Sequence, residues 1–174
     1  MGFFDLFKKK NAPAQTQGEP VSAQGEIISP RERLIHDMAE FMISHIEEKF
    51  KDKLIQKMFF EFGNYYSSEH NNEPYCDFRA VVASKDEVER VVDKYVQQGE
   101  TREDAVAISD SSGEYDTQDW QNHVFFEFPE AKYGIEWGDM VECAEEAARR
   151  IKMHDFSFPK TPDFTINDEV YLYN

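Results

Sequence analysis

The sequence predicts an α+β fold in which a mainly antiparallel sheet of about four to five strands is covered by three helices and preceded by a flexible N-terminal tail. The phrase Phe-Phe-Glu-Phe occurs at 59–62 and again at 125–128, and aromatic-rich alternation of this kind is typical of strands. Three other segments carry apolar residues at helical spacing. Because strands and helices do not alternate regularly, a doubly wound parallel sheet fits less well.

The repeated phrase assigns faces, because alternate side chains of an extended chain point to opposite sides. We expect Glu61 and Glu127 to lie on a partly polar, available face. The opposite, buried face would carry the apolar members of both copies: Met58, Phe60, Phe62, Val124, Phe126 and Phe128. The likeness of the two segments suggests neighbouring strands of one sheet.

The first helix begins at Ser29-Pro30-Arg31-Glu32, a capping box with proline at the first helical position. It is expected to end near Phe50 or slightly beyond. Its apolar residues recur at three- and four-residue steps and should cover one side of the sheet: Leu34, Ile35, Met38, Phe41, Met42 and Ile46.

A strand from Lys57 to Tyr66, a polar loop over 67–74 and an alternating segment over 76–82 predict a hairpin. In the second strand, Asp77 and Arg79 alternate with apolar residues. A further capping box at Ser84 predicts a helix from about Lys85 to Gln98.

The segment 100–119 is open to two interpretations: its apolar run 105–108 suits either a buried strand or a short helix after Thr101. A turn is expected at 110–113 in either case. Beyond it, we expect a strand over 123–128.

The last helix is predicted over 135–153, with acids early and bases late, as the helix dipole favours. The alternating tail 164–173 should add an edge or closing strand.

Residues 29–174 are therefore expected to form a single domain, and residues 1–28 an amphipathic tip and a flexible linker. Leu6 occupies the position where an N-myristoylation signal has Ser or Thr, so we expect no lipidation of this terminus. The tip, if it has a role, would make at most weak contact with an anionic membrane. That contact would use its aromatic and basic residues: Phe3, Phe4, Phe7, Lys8, Lys9 and Lys10.

The formal net charge is −16, and because residues 1–10 carry +2, the remainder carries −18. Such a surface repels nucleic-acid phosphates and favours a cationic protein partner, although charge can also serve solubility alone. The two cysteines, Cys76 and Cys143, form no C-x-x-C pair, which indicates reduced thiols and a cytoplasmic location.

No catalytic, nucleotide-binding or metal-binding motif is present, and we expect no cofactor and no metal. His36/Glu40 and His45/Glu48 are each about one helical turn apart, but H-E-x-x-H is absent. The oxygen-rich run 110–116 lacks the glycine of a calcium loop, and its twelfth position is Gln121 instead of glutamate.

Between 100 and 119, seven acids stand against Arg102 alone, and an aromatic residue follows directly. Carboxylates beside an aromatic anchor are typical of a protein interface, and a solvated acidic loop with a core tryptophan is the alternative. The candidate partner-binding residues are Glu103, Asp104, Asp110, Glu114, Asp116, Asp119 and Trp120, together with Glu61 and Glu127.

The opening helix, the strand 59–62, the turn 110–113 and the acidic balance resemble those of small immunity proteins in bacterial polymorphic-toxin systems, the group that includes YezG-like antitoxins. This resemblance implies an α+β fold that binds and blocks a toxin, commonly a basic nuclease, without catalysis. The expected function is therefore a non-catalytic cytoplasmic binding module for a basic protein. The alternatives are a small enzyme with clustered carboxylates in a sheet cleft, or a peripheral membrane protein tethered by its N-terminal tip.

Overall fold

The computed structural model describes residues 28–66, 74–115 and 120–173. Residues 67–73, where the sequence predicts a loop, and most of the predicted tail and linker lie outside the described residues. The elements are α1 (Pro30–Phe50), β1 (Ile55–Tyr66), β2 (Pro74–Ser84), α2 (Lys85–Gln97), α3 (Arg102–Ser109), β3 (His123–Pro129), the single-turn α4 (Glu130–Tyr133), α5 (Trp137–Lys152) and β4 (Lys160–Tyr173), with 3₁₀ turns at Ser112–Glu114 and Trp120–Asn122.

The fold is α+β, as predicted, and the four strands of the described residues form one mixed sheet in the order β3-β2-β1-β4. Strands β1 and β2 form the expected antiparallel hairpin, β3 pairs antiparallel with β2, and β4 runs parallel to β1 at the other edge. The two aromatic strands are not neighbours, because β2 lies between them. The alternation of apolar and polar residues that the two strands share indicates which face of the sheet each residue occupies, but it does not indicate which strand is the neighbour.

One face of the sheet packs against α1 and α5 and forms the larger core. The predicted apolar members of both aromatic strands lie there, and all but Phe126, which is half-buried, are at most 5 % exposed. Helix α5 presents small side chains, Ala144, Ala147 and Ala148, which let it approach the rest of this core closely.

A second, smaller core lies on the opposite face, where α2 and α3 cover Phe59, Val81 and Ala83. The structure resolves the ambiguity of the segment 100–119 in favour of a helix. The reason is local: the Thr101 hydroxyl oxygen accepts a hydrogen bond from the backbone N–H of Asp104 at 3.1 Å, which caps α3.

The two capping boxes are confirmed at their serines. The Ser29 hydroxyl accepts from the Glu32 N–H at 3.1 Å, and the Ser84 hydroxyl from the Glu87 N–H at 3.3 Å. Both cysteines are free and buried. Across the described ranges, every helix is too short or too polar to cross a bilayer.

Glu47 on α1 accepts hydrogen bonds from the segment that connects α5 to β4. Its two carboxylate oxygens accept hydrogen bonds from the Ser157 N–H at 2.8 Å and from the Ser157 hydroxyl at 2.5 Å, and His154 Nε2 lies 3.2 Å from Oε1. Partial burial raises the pKa of Glu47, but the hydrogen bonds from Ser157 and His154 outweigh it, so the pKa lies below its ordinary value.

We therefore predict that the stabilising effect of Glu47 is lost in acid. Because the folded-state pKa lies below the unfolded-state value, the carboxylate stabilises the fold above that unfolded value, and the contribution disappears as the pH falls through the folded-state pKa. Urea unfolding should show that Glu47→Gln lowers the free energy of unfolding at neutral pH, by an amount that shrinks toward about pH 3. Glu40→Gln, on an exposed position of the same helix, is the control. A Glu47→Gln effect that is the same at both pH values would contradict this assignment.

Candidate functional site

Two cross-strand rows of mainly polar and aromatic residues lie beside the smaller core, on the same face of the sheet. Each row crosses all four strands, because the registers of the three strand pairs align them. One row is Phe125, Arg79, Glu61 and Tyr171, and the next is Glu127, Asp77, Gly63 and Tyr173.

Arg79 is the centre of these rows. Its Nη2 donates a hydrogen bond to Asp77 Oδ2 at 3.0 Å, and its Nη1 lies 3.6 Å from Glu61 Oε2. All three side chains are at most 8 % exposed. The guanidinium lies over two rings, with its Cζ 4.9 Å from the centroid of Phe125 and 4.5 Å from that of Tyr173. Packing against aromatic faces suits arginine, because its guanidinium is planar and weakly hydrated.

Asp77 completes this cluster but is not saturated. Its Oδ2 also accepts a hydrogen bond from the Tyr173 hydroxyl at 2.8 Å. Its Oδ1 is buried and has no hydrogen-bond partner among the residues that the structure describes. Since buried carboxylate oxygens are normally hydrogen-bonded, this oxygen has an unused capacity to accept.

Asp77 and Arg79 line an open cavity of about 690 Å³ at the edge of the sheet. Tyr75 and Glu127 line it from the same face, and the half-buried rings of Phe41, Phe125 and Phe126 complete the wall. A cavity of this size accommodates a long side chain of a partner together with part of its backbone.

A second cavity, of about 440 Å³, adjoins the first at Phe41 and Phe125. It is lined further by His45, Glu48 and His123. Together the two cavities follow β3, which is an edge strand, and we call them the β3 groove.

The charge of the larger cavity is negative. Among the residues that line it, Asp77 and Glu127 provide two carboxylates against the guanidinium of Arg79, a net charge of −1, and Glu61, which pairs with Arg79, adds a third carboxylate beside them. Carboxylates and aromatic faces each attract ammonium and guanidinium groups, so the cavity favours a ligand that carries such a group. Across the described ranges, no group of three or more His, Cys, Asp or Glu side chains is arranged to hold a metal ion.

The structure separates Glu61 from Glu127 in role. Glu127 is exposed at the groove, as expected. The expectation of an available Glu61 is wrong, since its side chain is only 6 % exposed and is paired with Arg79. Glu61 lies on a central strand and faces an arginine of the neighbouring strand, whereas Glu127 lies on the edge strand.

The described acids of the segment 100–119 do not line this groove. Glu103 and Asp104 are exposed on α3, and Asp104 caps it with Thr101. Asp110 forms an ion pair with the buried Lys57. Asp116, Asp119 and the side chain of Trp120 lie outside the described residues.

Glu114 is held within the domain instead of being presented to a partner. Its Oε2 accepts a hydrogen bond from the Tyr95 hydroxyl at 2.6 Å and lies 3.6 Å from Lys94 Nζ. This hydrogen bond raises the pKa of Tyr95, because it favours the protonated phenol.

Sequence reasoning missed Asp77, Arg79 and Tyr173 as members of the site. Asp77 and Arg79 did carry a signal, because two opposite charges at alternate positions of an otherwise apolar strand require partners. Nothing in the sequence identifies those partners, since they come from strands whose order and register only the folded chain defines.

Comparison with models of known protein families finds no match, and comparisons with curated proteins and with solved structures find none either.

We predict that Gly63→Ala destabilises the fold through Tyr173. A Cβ at this position would lie 2.5 Å from Tyr173 Cε2, so the ring would have to leave its place over Arg79. The expected loss is about 1–3 kcal/mol of unfolding free energy, measured by urea denaturation. Gly138→Ala in α5, where a Cβ meets nothing within 4 Å, is the matched control and should be neutral or slightly stabilising. Equal effects at the two glycines would contradict the packing argument.

We also predict that Arg79→Met costs about 3–5 kcal/mol, because it leaves two buried carboxylates without their counter-ion. Removing all three charges together, with Glu61→Gln and Asp77→Asn added, should recover part of this loss. Arg102→Met breaks an exposed pair with Glu89 and should change the unfolding free energy by less than about 1 kcal/mol. Similar losses of unfolding free energy for Arg79→Met and Arg102→Met would contradict the argument that the buried carboxylates depend on Arg79 as their counter-ion.

Proposed function

We propose that this chain is a non-catalytic binding module that holds a basic protein, with the β3 groove receiving an arginine or lysine side chain of that partner. The observation that supports it is the larger cavity, where an unsaturated buried carboxylate, an exposed carboxylate and aromatic rings meet. Aromatic rings supply contact area at low entropic cost, and the carboxylates supply direction and charge.

The net charge supports the same class of partner. With −16 over the whole chain, long-range attraction speeds the approach of a cationic protein, and repulsion slows the approach of nucleic acid. Many of the acids form ion pairs within the domain, as Glu32 does with Arg150 and Glu142 with Arg31. The surface charge therefore steers the partner, while the groove supplies the specific contact.

The partner class that we propose is a toxin domain of basic charge, such as a nuclease, and the setting is the cytoplasm. This part of the proposal rests on the resemblance to immunity proteins and on the reduced state of the two cysteines. An immunity protein needs no chemistry of its own, because occupying the toxin is sufficient.

The test uses a dye-labelled peptide of alternating arginine and glycine, followed by fluorescence anisotropy. We expect the peptide to bind the full chain with an affinity that falls as the salt concentration is raised. The affinity should be far lower when citrulline replaces arginine, since citrulline keeps the shape of arginine and loses its charge. Glu127→Gln should weaken binding by about fivefold, which corresponds to ~1 kcal/mol.

Glu103→Gln is the matched control, because it makes the same change at another exposed acid, on α3. It should leave the affinity unchanged if the groove is the site. A loss at Glu103 with none at Glu127 would place the interface on the acidic segment instead. Equal affinity for the arginine and citrulline peptides would refute the proposed function.

A further inference from the structure

We propose that the N-terminal tip of this same chain, residues 2–10, docks into the β3 groove and competes with the basic partner. This inference rests on the proposed function, because it concerns the occupancy of that site. The tip combines three phenylalanines with three lysines, and the groove combines aromatic walls with carboxylates. The chain therefore carries a segment with the chemistry that its own groove favours.

The groove offers separate places for the two parts of the tip. Phe41 and Phe125 are half-buried and lie where the two cavities adjoin, so an inserted ring would pack against both. Asp77 and Glu127 lie in one cavity and Glu48 in the other, within reach of lysines that follow the rings. The tip carries a net +2, opposite in sign to the net −1 of the residues that line the larger cavity.

The length of the connecting segment matches the distance to be covered. From Pro30 to Phe41, helix α1 advances about 17 Å at 1.5 Å per residue. A random coil as long as the segment 11–28, roughly 18 residues, would have a root-mean-square span of about 23 Å. A tether whose natural span matches the separation gives its end an effective concentration in the millimolar range. Even weak contacts would then occupy the groove for much of the time.

Occupancy by the tip would lower the affinity for a partner without abolishing it. A basic partner has to displace the tip, and its apparent dissociation constant rises in inverse proportion to the fraction of chains whose groove is vacant. A partner that engages both the groove and the acidic surface would displace the tip readily, whereas a short basic peptide would displace it only in part and bind more weakly than to a vacant groove. The tip would thus act as a selectivity filter against weak cationic ligands.

The experiment places a nitroxide spin label on the tip of the full chain, through Gly2→Cys, and records amide resonances. Both native cysteines are buried, so the new thiol is the site that reacts. We expect selective broadening at Phe41, Phe125 and Glu127, relieved at high salt. Spin-labelled chain mixed with isotope-labelled, label-free chain controls for contact between molecules.

The triple variant Phe3→Ser, Phe4→Ser, Phe7→Ser keeps the charge of the tip and removes its rings. It should lose the broadening and bind the arginine peptide about tenfold more tightly than the unmodified chain. Replacing the three lysines by glutamine tests the charge separately and should give a smaller gain.

Broadening that is absent, or spread evenly over the surface, would overturn tip docking. So would a label that becomes immobile only when vesicles of phosphatidylcholine and phosphatidylserine are added, because the tip would then be a membrane contact. Failure of the proposed function looks different: the arginine peptide would bind neither the unmodified chain nor the triple variant, whatever the spin label reports.

Discussion

The buried guanidinium of Arg79 is the constraint on which the arrangement of this sheet depends. It lies on β2, pairs with Glu61 of β1, and packs over the rings of Phe125 of β3 and Tyr173 of β4. One side chain thus contacts all four strands. A buried charge is tolerated only when its partners are well placed, so the position of each strand is tied to the others through this group.

The same cluster explains why the face of the sheet that points away from α1 and α5 carries only a small apolar core. Helices α2 and α3 cover the apolar end at Phe59 and Val81. An apolar helix face laid over the charged rows would desolvate carboxylates without offering them hydrogen bonds. The polar rows therefore lie beside the second core, and the cavity at the edge strand is a consequence of that division.

The predictable part of the fold is the local part. Helix starts at Ser29 and Ser84 and the hairpin of β1 and β2 follow from signals that lie within a few residues of each other. The segment after Thr101 was ambiguous because a four-residue apolar run fits a strand and a helix equally well. Its cap and its packing under α2 decide for the helix. The error in strand order arose in the same way, since two segments of identical pattern need not be partners.

From the amino-acid sequence we could predict the α+β class, the two faces of each aromatic strand, the negative charge and the presence of a polar face that includes Glu127. Those properties depend on residue type and on spacing along the chain. The folded chain was needed to show that Glu61 is buried, that one oxygen of Asp77 has no hydrogen-bond partner among the described residues, and that Phe41 of α1 and Phe125 of β3 line the same groove. These facts depend on register between strands and on how a helix crosses a sheet, and residues far apart in the chain define both.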